Sequence, residues 1–296
     1  MTDVMPLEHV RLVVVMPIGP GEDPSDTLES VRAYTDPSRA VVLVDDTGSD
    51  ALAASVAGDP DVHVVPAPAG ASGGWGGLWV KIAAGHSHAC AHWRFDLLLR
   101  MDTDALLIGA GIEDAALRRF AEEPGLGLLG AYRTGPDGSP RDFAPAAATL
   151  RAETGWRGWR HPRLRARLRG LLDRATANGY RHGEHALGGA YLQTGAAVRS
   201  LASRGLLDMP EMADSHLGED QVFALLTVAA GFGIGDFSRP GDPMAVRWRG
   251  LPASPEDLLA GPALITHSVR FHGDRDEDEI RAVFAAARRA GAPAGG

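Results

Sequence analysis

The chain has 296 residues, 45% of them hydrophobic and 23% charged, which suits one large α/β domain or two small ones and argues against global disorder. Its formal net charge of −9 argues against general nucleic-acid binding, because a basic surface supplies most of that affinity. The single cysteine, Cys90, excludes an internal disulfide framework and fits a reducing compartment.

Two further observations concern targeting. No apolar run approaches the roughly 20 residues that cross a bilayer. Residues 1–9 carry acids and a proline, and they lack the basic region and apolar core of a signal peptide. We therefore expect a cytoplasmic protein without an integral membrane segment.

The N-terminal third alternates between predicted strands and helices, and the strands end in Pro, Gly or an acid. This alternation is typical of a parallel, doubly wound half-domain. Apolar and β-branched runs predict strands at residues 10–16, 40–44, 62–65 and 95–101. Helical spacing predicts helices at residues 25–34, with Ser25 or Asp26 as the cap, at 51–57, and from about 78 to 92.

A glycine-rich segment, residues 70–77, precedes the third of these helices. It matches neither the Walker pattern nor a dinucleotide-binding fingerprint. Its glycines therefore either contact a phosphate or let the backbone pass close to a neighbouring strand. Lys81, one turn into the helix, either reaches a phosphate or is solvated.

Two acids follow the fourth predicted strand. Leucines 97–99 are typical of a strand buried on both faces, and Asp102 and Asp104 come soon after them with Thr103 between. An unpaired buried charge is costly, and the carboxyl ends of parallel strands face the crevice where open α/β sheets bind ligands. The pair is therefore either a site for a hard divalent cation held against phosphate oxygens or two solvated acids in a turn.

The central part of the chain is less regular. Residues 126–132 predict a strand beside the acidic one, and residues 133–145 a loop. Residues 151–174 hold Trp156, Trp159 and many arginines. They form either an exposed basic helix or a surface that meets a partner or an acceptor, and we favour the second interpretation.

The C-terminal part supplies further candidate site residues. Residues 187–195 predict a glycine-flanked strand that includes Gly188 and Gly189, followed by a helix at 196–204. Glu219 and Asp220 begin an apolar helix at 221–230, where the macrodipole comfortably explains one acid and a preceding glycine leaves space around Asp220. Short strands are predicted at 234–237 and 263–266, and a charged helix begins the tail at 274–296.

Two histidines follow the last predicted strand, His267 directly and His272 shortly after. A lone histidine in this position is more often structural than a ligand. Two of them beside an acidic site favour metal binding, because imidazole is a common ligand of Mn²⁺ and other transition ions.

Together these segments resemble the GT-A glycosyltransferases, and among them the inverting family-2 type, over roughly residues 10–272. Residues 13–17 resemble the first strand, whose proline-containing end cups the nucleotide base, and residues 43–50 resemble the V-D-D-x-S-x-D segment, whose acid contacts uracil. Asp102-Thr103-Asp104 resembles the D-x-D metal motif, and Leu187-Gly188-Gly189-Ala190 resembles the acceptor-side glycine strand. Gly218-Glu219-Asp220 resembles the E-D segment whose Asp is the base, and His267 resembles the late metal-binding histidine.

The resemblance implies an α/β fold of the GT-A type, with a Rossmann-like, mostly parallel central sheet flanked by helices and a C-terminal acceptor-binding portion. Residues 1–132 would form the donor half, residues 133–273 the half that binds the acceptor and carries the base, and residues 274–296 a C-terminal helix and tail. All three would belong to one compact domain.

The resemblance also implies an activity. The donor would be a UDP-sugar of the UDP-glucose or UDP-N-acetylglucosamine type, and the acceptor a hydroxyl or amine compound, free or bound to a carrier protein, as in natural-product biosynthesis. A single transfer is expected, because the Q-x-x-R-W signature of processive synthases is absent after Asp220. A homodimer is one option for the oligomeric state.

The resemblance, together with the residue patterns above, gives the candidate site residues. Asp220 would be the general base, and Mn²⁺ or Mg²⁺ would bind Asp102, Asp104 and His267, with His272 as the substitute for His267. Donor contacts are expected from Pro17, Ile18, Asp45, Asp46, Lys81, Asp102, Thr103 and Asp104, and acceptor contacts from Trp156, Trp159, Gly188, Gly189 and Glu219.

Two alternative functions stay open. A sugar nucleotidyltransferase has a similar half-sheet and uses acids with Mg²⁺, but residues 18–23 lack the basic side chains of its phosphate loop. A non-catalytic nucleotide-sugar-binding protein would keep Asp102 and Asp104 without turnover. The acid at position 220 and the histidine at position 267 argue against that second alternative.

Overall fold

A computed structural model describes residues 7–69, 71 and 73–291. The strands are β1 (Glu8–Ile18), β2 (Arg39–Asp45), β3 (Val62–Pro66), β4 (Trp93–Met101), β5 (Ala105–Leu107), β6 (Leu126–Gly130), β7 (Ala190–Thr194), β8 (Gly233–Asp236), β9 (Met244–Val246), β10 (Ile265–His267), β11 (Phe271–His272) and β12 (Arg275–Asp276). The α-helices are α1 (Ser25–Tyr34), α2 (Ala51–Val56), α3 (Gly74–His92), α4 (Ile112–Glu122), α5 (Ala144–Thr154), α6 (Pro162–Ala177), α7 (Gly195–Ser203), α8 (Glu219–Ala229), α9 (Pro255–Ala260) and α10 (Glu277–Gly291), and 3₁₀ helices lie at Trp156–Arg160 and Pro210–Asp214.

The centre of the molecule is a seven-stranded sheet of order β3-β2-β1-β4-β7-β6-β8. Within the described chain its strands run parallel except β7, which is antiparallel to β4 and to β6. The expected α/β class, a mostly parallel central sheet flanked by helices, is confirmed.

The predicted neighbour of the acidic strand is wrong. β6 does not lie beside β4, because β7 is inserted between them, with Leu97 opposite Thr194 and Met101 opposite Ala190. The chain leaves the sheet after β6, forms α5 and α6, and returns as β7. Consecutive strands are usually neighbours, and that rule fails here because of this excursion.

The leucines of β4 explain how the sheet carries two cores. Leu98 packs on one face, in a cluster with Trp79 of α3 and Phe223 of α8. Leu97 and Leu99 pack on the opposite face, in a cluster with Ile112 of α4. Side chains of a strand alternate between faces, so helices on both sides bury all three leucines.

A second, three-stranded sheet of order β5-β10-β9 determines where His267 lies. β5 begins directly after Asp104 and pairs antiparallel with β10, which sets Ala105 opposite His267. The pairing therefore brings a histidine far along the chain next to the two acids. His272 lies on β11, in a separate hairpin with β12.

Two local predictions need correction. α1 begins at Ser25 as expected, but Ser25 is not its cap: its backbone N–H donates to Asp23, and no side-chain cap bond is made by Pro24. Residues 151–174 are not a single helix, since they comprise the end of α5, the 3₁₀ helix Trp156–Arg160 and most of α6. Pro162 begins α6, a position that tolerates its missing N–H.

Parts of two predicted segments, Gly70 and Ser72 of the glycine-rich segment and residues 292–296 of the tail, lie outside the described residues. In the remainder of the chain, no helix combines the length and the hydrophobicity needed to cross a bilayer.

Candidate active site

A cleft of about 920 Å³ opens at the carboxyl ends of β1 and β4 and at the start of α8. This is the edge at which parallel α/β sheets bind ligands. Most of the predicted site residues line the cleft: Pro17, Ile18, Lys81, Asp102, Asp104, Gly188, Gly189, Glu219, Asp220 and His267.

Asp102, Asp104 and His267 form one side of the cleft, which we call the metal corner. One potential ligand atom from each lies within 4.8 Å of the others. His267 Nε2 is 3.2 Å from Asp104 Oδ1 and 3.8 Å from Asp102 Oδ2. His267 Nδ1 donates to the carbonyl oxygen of Arg247 at 2.7 Å, so the ring turns Nε2 towards the acids.

The electrostatics of the metal corner favour a positive charge between these side chains. Burial alone would raise the pKa of Asp104, but its hydrogen bonds with His267 and Arg270 outweigh burial and hold that pKa well below its usual range. Burial lowers the pKa of His267, whereas the hydrogen bond and charge of Asp104 raise it overall. A carboxylate, carboxylate and imidazole set of this kind suits Mn²⁺ or a similar divalent ion.

Gly189 shapes the metal corner through its backbone. Its φ of +95° favours glycine, and a Cβ at this position would collide with the ring of His267. Its carbonyl oxygen accepts a hydrogen bond from the Asp102 N–H at 2.8 Å. Gly189 lines the cleft, as expected of a residue predicted to contact the acceptor, and within the protein it contacts two candidate metal ligands.

Asp220 also lines the cleft, in a part that we call the base corner. Its Oδ2 accepts a hydrogen bond from the Gly188 N–H at 2.8 Å, and its Oδ1 accepts one from the Gln221 N–H at 2.8 Å. A charge-assisted bond to backbone N–H is among the stronger hydrogen bonds and fixes a carboxylate in orientation. Asp220 therefore projects into the cleft from the first turn of α8 in a defined position.

His185 and Arg141, which were not predicted, border Asp220. His185 Nδ1 donates to Gly183 O at 2.7 Å, so its Nε2 accepts from Arg141 Nη2 at 2.9 Å and lies 3.7 Å from Asp220 Oδ2. Burial lowers the pKa of His185, and the charge of Arg141 lowers it further, although Asp220 opposes this. His185 is thus a neutral neighbour of the carboxylate.

Glu219 is held by contacts within the protein. Its side chain is buried, with Oε1 2.9 Å from Arg100 Nη2 and Oε2 accepting from the Tyr191 hydroxyl at 3.0 Å. Burial raises the pKa of Glu219 to about 8, although Arg100 opposes this. Glu219 therefore lines the cleft from a buried position, in which Arg100 and Tyr191 hold its carboxyl group.

Arg100, which also lines the cleft, joins the two corners. The same Nη2 that meets Glu219 lies 2.8 Å from Asp102 Oδ1, and the side chain is 1% exposed. Burial lowers its pKa, but the neighbouring acids raise that pKa overall. An arginine inside the apolar strand β4 was the sequence signal for a buried ion pair, but its partner could not be identified without the fold.

Four predicted donor residues are held by contacts within the protein. Lys81 lines the cleft but is ion-paired with Asp46, which does not line it. Asp45 accepts from the Thr47 N–H at 2.8 Å and also lies outside the cleft lining. Thr103 is buried, and its carbonyl oxygen accepts from Thr27 and Arg281 rather than facing a ligand.

The structure does not bring Trp156 and Trp159 to the cleft. Their side chains are 75% and 62% exposed on the 3₁₀ helix beyond the end of α5. Trp75, Trp248 and Phe271 are the large aromatic residues that line the cleft within the described chain. Gly76, in the glycine-rich segment, lets the backbone approach Ser215, to whose carbonyl oxygen its N–H donates at 3.1 Å.

No family model matches the sequence, and no curated protein sequence matches it. Among solved structures, mouse xyloside xylosyltransferase 1 in its apo form is similar over 88% of this chain and 97% of its own, at 14% identity and a TM-score of 0.47. A likeness at this level identifies no family. The proposed function therefore rests on the residues of the cleft.

Proposed function

We propose that the protein is a metal-dependent glycosyltransferase that moves a sugar from a UDP-sugar to a hydroxyl or amine acceptor with inversion. One observation carries the proposal: two groups suited to different chemistry line the same cleft. The first is a cluster suited to a divalent cation, Asp102, Asp104 and His267. The second is a carboxylate held by backbone N–H groups, Asp220.

The metal corner would serve the leaving group. Asp104 and His267 would hold Mn²⁺ or Mg²⁺, with Asp102 as a further ligand. When bound, the ion neutralises the charge that develops on the departing diphosphate. Pro17 and Ile18, at the end of β1, line the same cleft and would contact the nucleotide base.

The base corner would serve the acceptor. Asp220 would take the proton from the acceptor hydroxyl or amine while the acceptor atom bonds to the anomeric carbon and the bond to the diphosphate oxygen breaks. General base catalysis of this kind contributes about 10²–10⁴-fold in rate. Attack from the side opposite to the leaving group inverts the anomeric centre.

The cleft leaves room for an acceptor beside this base. At Gly188 an added Cβ would lie 3.1 Å from Glu219 and 3.4 Å from Asp220, so a larger residue would crowd the carboxylate. Trp75 and Trp248 supply exposed aromatic faces on the cleft wall, which suit a sugar or aromatic acceptor.

Calorimetry with UDP, GDP and dTDP in the presence of Mn²⁺ tests the donor. We expect UDP to bind most tightly, and tighter binding of GDP or dTDP would overturn the UDP assignment. A mass-spectrometric screen of UDP-sugars against hydroxyl and amine acceptors, free and carrier-bound, tests the transfer. Binding of UDP with no transfer product in any combination would favour a non-catalytic nucleotide-sugar-binding protein.

A further inference from the structure

The 3₁₀ helix Trp156–Arg160, which we call the Trp–Arg turn, presents two large aromatic side chains to solvent. Side chains three residues apart on a 3₁₀ helix lie above one another, so Trp156 and Trp159 share one face. Arg157 lies 5.8 Å from the ring centroid of Trp156. Arg160 lies 5.7 Å from that of Trp159. Each ring is thus paired with a guanidinium.

The exposure of these rings is built into the turn. Gly158 is buried between them, and a Cβ there would collide with the carbonyl oxygen of Glu153 in α5. Because the glycine side of the turn packs against α5, the tryptophans on either side of it face outward. Adjacent exposed aromatic side chains are uncommon on a soluble surface unless they meet a partner.

The surroundings of the Trp–Arg turn are strongly basic. Residues 151–174 hold eight arginines and two carboxylates in a chain whose net charge is −9. Leu164 and Leu168 of α6 point into the core, which leaves Arg163 and Arg169 exposed on the same helix. Glu211 and Asp214 of the neighbouring 3₁₀ helix pair with Arg167 and His161, and the remaining arginines still give the patch a charge opposite to that of the protein as a whole.

We propose that the Trp–Arg turn docks the protein on an anionic lipid bilayer. Tryptophan is the side chain most characteristic of membrane interfaces, where its ring lies at the level of the headgroups. Arginines beside it bind lipid phosphates while their stems follow the apolar boundary. An exposed pair of rings enters a fluid interface without a preformed pocket, whereas a protein partner would have to provide one.

Docking at this place would hold the cleft close to the bilayer. The turn follows α5, whose Ala146 and Thr149 line the cleft. The 11 residues of α5 span about 16 Å. A substrate at the headgroup level would thus lie near the cleft opening. The docking itself does not depend on the proposed transfer reaction.

Vesicle flotation tests the proposal with the whole protein and no nucleotide. Vesicles of phosphatidylcholine alone are compared with vesicles that contain about one third phosphatidylglycerol. We expect at least about tenfold stronger binding to the anionic vesicles, weakened by salt because the Debye length shortens. The pairs Trp156→Ala/Trp159→Ala and Arg157→Glu/Arg160→Glu should each reduce this binding at least about tenfold. Arg118→Glu, on the exposed side of α4, is the matched control and should bind like the wild type.

The docking proposal would be overturned by wild-type protein that does not bind anionic vesicles, or by both pair variants binding like the wild type. Retention on an acidic carrier protein without vesicle binding would also overturn it. If circular dichroism shows that the alanine pair does not fold, two other variants replace it: Trp156→Phe/Trp159→Phe and Arg157→Gln/Arg160→Gln. The glutamine pair should bind anionic vesicles more weakly than the wild type. Calorimetry with UDP and Mn²⁺ on the same variants keeps a failure of docking separate from a failure of the proposed function.

Discussion

The metal corner and the base corner hold their carboxylates by opposite means. Asp104 is surrounded by cationic or potentially cationic side chains: His267 Nε2 lies 3.2 Å from Oδ1, and Arg270 Nε donates to Oδ2 at 2.7 Å. Asp220 is held mainly by backbone N–H groups, with a neutral His185 beside it. The side chain of Arg270, which is 60% exposed, can give way to an incoming cation. A carboxylate fixed by the backbone keeps its position and remains free to accept a proton.

Replacement of Asp104, at the metal corner, should have the largest effect on ligand binding. Asp104→Ala removes the acid that contacts both His267 and Arg270, and we expect Mn²⁺-dependent UDP binding to be lost. Isothermal calorimetry with and without Mn²⁺ measures the effect. Asp114→Ala, which removes an exposed acid on α4, is the control and should bind UDP like the wild type. Normal metal-dependent binding by the Asp104→Ala variant would contradict the metal corner.

Replacement of Asp220 should separate binding from turnover. Asp220→Asn keeps the size of the side chain and its place on α8 but cannot take a proton, so kcat should fall about 10²–10⁴-fold with UDP affinity unchanged. Steady-state kinetics and calorimetry on the same preparation measure both quantities. Asp173→Asn, an exposed change on α6, should leave both unchanged. A wild-type kcat in the Asp220→Asn variant would exclude the proposed base.

How far the sequence predicts these corners depends on the range of the contacts. The acids after β4 and the acid at the start of α8 were predicted because strand ends and helix starts are local patterns. The choice between His267 and His272 needed the pairing of β5 with β10, a long-range register. The role of Glu219 was missed because its partner, Arg100, lies on a strand whose neighbours no local pattern specifies.

The tryptophans illustrate the same limit. Their aromatic and basic composition suggested a ligand surface, and composition alone could not say which surface of the molecule would carry it. The break at Pro162 and the turn around Gly158 direct Trp156 and Trp159 away from the cleft. Trp75 and Trp248 are among the aromatic side chains that do line the cleft. Both come from segments in which no local pattern marked them as site residues.

Loss of Arg100 should remove the contact that links the metal corner to the base corner. Arg100→Met would leave Glu219 and Asp102 without their shared partner. Because burial already raises the pKa of Glu219 to about 8, its carboxyl group can take up a proton, and we expect a destabilisation below the roughly 3–5 kcal/mol of a broken buried ion pair. Urea unfolding measures the free energy, and Mn²⁺ calorimetry shows whether Asp102 keeps its role. Arg100→Lys retains the charge and should recover part of the lost stability and part of the Mn²⁺ binding. An Arg100→Met variant as stable as the wild type would show that the ion pair does not support the site.

The ring of His86, a buried and uncharged polar group, packs beneath α8 and supports the base corner. It is stacked on Phe223 at 4.6 Å between ring centroids, and its Nδ1 donates to Ile82 O at 2.9 Å. Gln193 Oε1 is placed 2.8 Å from Nε2, and Gln193 Nε2 has no partner within the described residues. Because a neutral ring that donates through Nδ1 can only accept at Nε2, the reversed amide orientation, with its N–H towards the ring, matches both groups. An N–H from that amide therefore satisfies the neutral ring.

The pKa of His86 predicts the smallest effect, a loss of stability in acid. Burial lowers this pKa from 6.5 to about 4, so between these values the unfolded chain binds a proton that the folded protein does not. Stability is therefore full above the unfolded pKa and falls as the pH drops from 6.5 towards 4, by about 2 kcal/mol at about pH 5. Urea unfolding near pH 7 and near pH 5 measures this loss. His86→Gln, which does not titrate, should lose about 2 kcal/mol less over this interval, whereas His9→Gln, at an exposed position, should behave like the wild type. Equal losses in the wild type and the His86→Gln variant would mean that folding does not lower the pKa of His86.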